Sequence, residues 1–233
     1  MKKIQRENLI LVHSFPTNSI ILKGLIEYLN KYCNVYFIDL PGFTKKVPPL
    51  KNISLENYSK YLDKKIKSLK IKSYVAAGIS FGFLVVNNAK LDKRCKGIIA
   101  LEPYIDSKSL DMGFLKKSAY IVLADSLLFL GLGALLKIKI PSQIDQKTFL
   151  KTSSLILKNN DPIKFKNLPY VLVINKNDGT VNSKYIIKKF NKPSHLIIHT
   201  HMDHYPKNLS KEYFKEMLPK SMLKKMSSYI KKA

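Results

Sequence analysis

The sequence predicts an α/β protein, a mostly parallel six-stranded sheet with helices on both faces. Short β-branched runs recur along the chain, each followed by a turn and a segment with apolar residues at helical spacing. These runs are near-continuous instead of alternating, as strands covered on both faces require. At 233 residues, with 45% apolar and 24% charged residues, the chain is of a size and composition to build one domain around a substantial core.

The expected strands cover 8–15, 34–40, 73–79, 97–101, 170–174 and 194–200. Between them, segments 18–30, 54–70, 81–91 and 182–190 place apolar residues on one side and lysines on the other, the pattern of surface helices. Ser54, three residues ahead of Asn57, and Asn182 or Ser183 are helix-start residues. The alternation breaks between Pro103 and Pro169, where no strand pattern is found. This stretch, 104–168, reads as a helical insertion above the sheet, within a single domain spanning 1–233. Its centre, 119–136, is almost wholly apolar. Eighteen residues is near the lower edge of a membrane span, but Asp125 lies inside the run, and a carboxylate at mid-membrane costs about 3 kcal/mol. The final stretch, 210–232, has the pattern of one amphipathic helix ending in lysines.

A formal charge of +25 raises the question of nucleic acid. Of 41 basic residues only Arg6 and Arg94 are arginine, the side chain on which base reading and bidentate phosphate gripping lean. The lysines are spread along the whole chain, as on a solvated surface, and no nucleic-acid partner is expected. Cys33 and Cys95 are too few for a disulfide framework. The apolar run at 9–12 is interrupted by His13, so no signal-peptide core forms, and a reducing, cytoplasmic setting is expected.

In such sheets ligands bind beyond the carboxyl ends of the strands, and the chemistry-bearing residues fall there. Gly78-Ile79-Ser80-Phe81-Gly82 is a G-x-S-x-G sequence between an expected strand and an expected helix, the context in which this motif carries a nucleophile. The elbow needs residues without side chains two positions either side of the serine, and two of only nine glycines stand there. Asp178 sits in a turn after the strand at 170–174; an aspartate before glycine also commonly caps its own turn. Asp161 is a weaker acid, because no strand leads into it. His204 follows the last strand.

These features resemble the α/β-hydrolase superfamily over nearly the whole chain. His13-Ser14-Phe15-Pro16 is similar to that family's His-Gly-x-Pro oxyanion loop, with serine in place of glycine, and Asp39-Leu40-Pro41-Gly42 to its Asp-x-Pro-Gly turn. The order Ser, Asp, His is the family's. The resemblance implies an α/β-hydrolase fold lacking the two leading strands, with residues 104–168 as a cap. It further implies a serine hydrolase with Ser80 as nucleophile, His204 as base and Asp178 orienting the imidazole. The backbone N–H groups of Phe81 and Phe15 would hold the oxyanion, with no metal or organic cofactor. The expected partner is a small-molecule substrate with an apolar part, and the cap, among lysines, would make at most weak peripheral contact with membrane. His13 and Asp39 are expected to be structural, the first bonding loop backbone and the second tying its own turn.

Two other classes stay open: a non-catalytic binding protein of this fold, and a basic binder of membrane surface or nucleic acid. The string His199-Thr200-His201-Met202-Asp203-His204 also spells the H-x-H-x-D-H zinc signature of the metallo-β-lactamase fold. That fold takes further histidines from later in its chain, and none follows His204. The sequence leaves open the bond cleaved, the natural substrate and the oligomeric state.

Overall fold

In the computed structural model, residues 6–111, 142–204 and 208–232 are described. Six strands form one sheet: β1 (Asn8–Val12), β2 (Asn34–Ile38), β3 (Tyr74–Ile79), β4 (Cys95–Leu101), β5 (Tyr170–Asn175) and β6 (His195–Thr200). The order is β2-β1-β3-β4-β5-β6 and every pairing is parallel. The expectation of a mostly parallel sheet is met in the stricter form. β5 is buried at all six positions, which is why its sequence reads as an unbroken apolar run.

Parallel pairing forces each connection to cross over the sheet, and the helices divide between its faces. One face carries α2 (Leu55–Ser68), α3 (Phe81–Asn88) and α5 (Ser183–Phe190), whose Tyr58, Leu62, Phe83, Val86, Ile186 and Phe190 join one core cluster. The other carries α1 (Lys23–Leu29), α6 (Lys211–Met217) and α7 (Lys220–Lys232), with Leu25, Tyr28, Phe214, Met226 and Ile230 in a second cluster. The expected helix starts are realised: Ser54 Oγ accepts from the Asn57 N–H at 3.2 Å and Asn182 Oδ1 from that of Tyr185 at 3.0 Å.

Several boundaries differ from the sequence expectation: β1 ends at Val12 and not at residue 15, β2 at Ile38 and not at 40, and β4 begins at Cys95 and not at 97. α1 begins at Lys23, not at residue 18, because Asn18 Oδ1 takes the N–H groups of Ile20 and Ile21 and holds the chain in a turn. α3 ends at Asn88, and the chain turns through Leu91 at φ 49°. The C-terminal stretch is two helices, not one. Leu218, at ψ 64°, is pushed out of helical geometry by Pro219, whose ring crowds the residue before it.

Of the insertion, the described residues contain a 3₁₀ turn at Ser107–Ser109 and α4 (Gln146–Lys158), started by Asp145 Oδ1 accepting from the Thr148 N–H at 2.7 Å. The apolar centre, 119–136, with its membrane-contact reading, lies outside the described residues. Among the described residues no helix is long and apolar enough to cross a membrane. Arg94 is spent inside the fold: its guanidinium donates to the carbonyls of Ile66, Leu69 and Ile71 at the end of α2 and pairs with Asp92 at 2.7 Å.

Candidate active site

The sheet order brings four chain segments to one edge. The carboxyl ends of β3, β4 and β5 lie side by side, and β6 closes the row. Ser80 ends β3 and opens α3 at φ 49°, ψ −118°, outside the ordinary regions for a residue with a side chain. What holds it there is close packing on both sides. A Cβ at Gly78 would lie 2.3 Å from the Phe83 backbone, and one at Gly82 would lie 2.3 Å from the His13 carbonyl oxygen. Both glycines are therefore required, and the second lets α3 start against the loop that ends β1. The Ser80 N–H donates to the Leu101 carbonyl at 3.0 Å, fastening the elbow to β4.

Ser80 Oγ stands 2.9 Å from His204 Nε2. On the far side of the ring, His204 Nδ1 lies 3.4 Å from Asp178 Oδ2, and both side chains are only 2% exposed. Asp178 also caps its own turn, Oδ1 accepting from the Thr180 N–H at 2.7 Å. Burial would raise the Asp178 pKa, but the His204 imidazole and the Thr180 N–H outweigh it and hold the carboxyl below its ordinary range. The loop bearing His204 is fixed by its neighbours. Thr200 Oγ1 donates to the Met217 carbonyl at 2.9 Å, and the Asp203 N–H donates to the Tyr213 hydroxyl at 3.1 Å. Asp161, the weaker acid, is exposed and lines a separate cavity with Lys164 and Lys166.

Phe81 heads α3, where the first N–H groups have no partner within the helix. Phe15 lies in the loop that abuts Gly82, its ring against Phe43 and Phe149. His13 is fully buried. Its Nε2 accepts from the Leu40 N–H at 2.9 Å and its Nδ1 faces the Ser14 carbonyl at 2.8 Å, so the ring joins two loops as one neutral tautomer. Burial pushes its pKa down to about 4. Asp39 departs from expectation: it ties another segment, accepting from the Ser19 N–H at 2.7 Å and the Ser19 hydroxyl at 2.6 Å.

The sequence reading passed over Glu102. It follows β4 directly, with φ 41° and 1% exposure. Oε1 accepts from the Asn175 N–H at 2.7 Å, while Oε2 is buried without a partner among the described residues. Burial, with the charges of Asp178 and Asp203 adding to it, raises its pKa to about 8, so the carboxyl is largely protonated at neutral pH. Its signal in the sequence was position alone, an acid at the carboxyl end of an expected strand, next to Pro103. Glu102, Asp178 and His204 present ligand atoms within 4.8 Å of one another, the spacing of a small cation site. His204 has one ring nitrogen on Ser80 and the other facing Asp178, which leaves the imidazole engaged without a metal. His199 and His201 are exposed and stand outside this group.

A cavity of about 120 Å³ opens beside Ser80 and His204. The sequence matches no protein-family model, and comparison with curated proteins found no match either. Solved structures do match over almost the whole chain. A thermophilic esterase from Thermogutta terrifontis superposes with a TM-score of 0.69 at 16% identity, over 98% of this chain and 90% of its own. A hydrolase from Oleispira antarctica gives 0.71 at 12%, over 96% and 90%. A bottromycin epimerase gives 0.65 at 14%, over 87% and 85%. The chain has the α/β-hydrolase fold.

Proposed function

We propose that this α/β-hydrolase-fold chain is a serine hydrolase that cleaves an ester or related acyl bond through a covalent acyl-enzyme on Ser80. The observation that carries the proposal is the 2.9 Å approach of Ser80 Oγ to His204 Nε2 at a left-handed elbow, with Asp178 behind the ring. Esterases among the structural neighbours agree with it, while the epimerase shows that the fold alone does not choose the reaction.

In this reading the Ser80 proton passes to His204 Nε2 as Oγ adds to the substrate carbonyl. Asp178 keeps the ring in the tautomer that leaves Nε2 free to accept, and stabilises the imidazolium. The N–H groups of Phe81 and Phe15 receive the developing oxyanion, each worth about 3 kcal/mol. Collapse expels the alcohol, which takes the proton from His204. Water then attacks the acyl-enzyme by the same route in reverse and frees the acid. The unpaired cysteines suit a reducing, cytoplasmic setting. Charge gives the nucleic-acid reading little support, since one of the two arginines is committed to the end of α2.

Incubation with a fluorophosphonate probe should label the wild type on Ser80 and leave Ser80→Ala unlabelled. Absence of label on folded wild type, together with no hydrolysis of activated esters, would refute the proposal.

A further inference from the structure

The cavity beside Ser80 sits on the face of α1 and α6, between those helices and the ends of the strands. Its apolar wall includes Leu25, Leu101, Met202 and Phe214, all members of the second core cluster. Ser80 and His204, with Ser14, Thr17 and Asp203, supply the polar side, so whatever fills the space is bonded to, or adjacent to, the reacting carbon. Glu102 also faces it; a carboxylate there would repel an apolar group, but the carboxyl largely keeps its proton at neutral pH. The volume sets a ceiling. A cavity of about 150 Å³ lined by Leu, Ile and Phe holds one benzene molecule, and this one measures about 120 Å³.

We propose that this cavity is the subsite for one apolar arm of the substrate, and that it admits a chain or ring of no more than about six carbons. The proposal rests on the serine-hydrolase reading and narrows it to esters with one short arm. Interdigitated core side chains form the walls, so a longer arm must displace them or run out through the open side, and either way it gains no further burial. Shorter arms leave wall contacts unused, and each methylene added within the limit should raise kcat/KM about fourfold. The short arm can belong to the acyl or the alcohol side, since both flank the carbonyl attacked by Ser80.

The test uses the whole chain and two ester series at neutral pH, alongside fluorophosphonate labelling. One series lengthens the acyl group on p-nitrophenol from acetate to dodecanoate. The other lengthens the alcohol of acetate esters from methyl to octyl. One of the two should climb with chain length, peak or level off at or below about six carbons and gain nothing beyond. Leu25→Ala should move that limit to longer chains. Labelled, active protein with no cut-off in either series overturns the subsite and leaves the serine-hydrolase reading standing. A cut-off that Leu25→Ala leaves in place, in soluble and labelled protein, also overturns it. Failure of both labelling and turnover sinks both. The wild-type profiles decide the matter if the variant does not fold.

Discussion

Replacing Glu102 by glutamine should change how stability depends on pH, in a direction and size set by its surroundings. The amide keeps an oxygen for the Asn175 N–H and carries no charge at any pH. In wild type the folded carboxyl titrates near 8 against an ordinary value of 4.5. Between those limits the folded protein holds a proton that the unfolded chain has released. Stability conferred by this site is therefore fully present below pH 4.5 and is lost as pH rises through about 8. The slope is about 1.4 kcal/mol per pH unit, which integrates to roughly 3 to 4 kcal/mol between pH 5 and pH 8. Groups common to both proteins cancel in the difference. Urea unfolding at pH 5, 6, 7 and 8 should show Glu102→Gln gaining on wild type by that amount and levelling off above pH 8. Parallel stability curves for the two proteins would refute the claim that this buried carboxyl is protonated at neutral pH.

Asp178→Asn should leave the fold intact and lower kcat about ten-thousandfold by favouring the wrong imidazole tautomer; a loss under tenfold in steady-state kinetics would remove Asp178 from the mechanism. Gly78→Ala should destabilise by about 3 kcal/mol or more, since its Cβ would meet backbone 2.3 Å away. A shift in the urea midpoint reads this directly. His13, with its pKa pushed down to about 4 from 6.5, has the opposite sign to Glu102. The unfolded chain binds the proton that the folded ring refuses, so stability falls as pH drops from 6.5 to 4. His13→Gln should flatten that limb by about 1.4 kcal/mol per pH unit; an unchanged limb would contradict the neutral bridge between Leu40 and Ser14.

The sheet was legible because burial on both faces writes itself as unbroken apolar runs, and β5 is the clearest case. Ser80 was legible because its elbow needs two glycines that a Cβ would destroy. Asp178 and His204 were legible only through chain order after strands; their approach depends on contacts that have no local signature, such as Thr200 with Met217. Glu102 was missed because its environment is built by β5 and the His204 loop, far along the chain. Local side-chain competition also escaped the periodic pattern: Asn18 delays α1, and Pro219 divides the last helix. Asp39 was read as local because its turn is local, yet its partner is Ser19.

The loop carrying His204 is held from behind by the helix pair that ends the described chain. Tyr28 of α1 donates to the Leu218 carbonyl at 2.5 Å, and Thr200 reaches Met217. A ribosome therefore finishes the serine elbow more than a hundred residues before the imidazole that would activate it has been translated, and later still comes the anchor that fixes that imidazole. Until then a nascent chain carries an unassisted hydroxyl. Reactivity would switch on only once α6 has been made and packs behind the His204 loop.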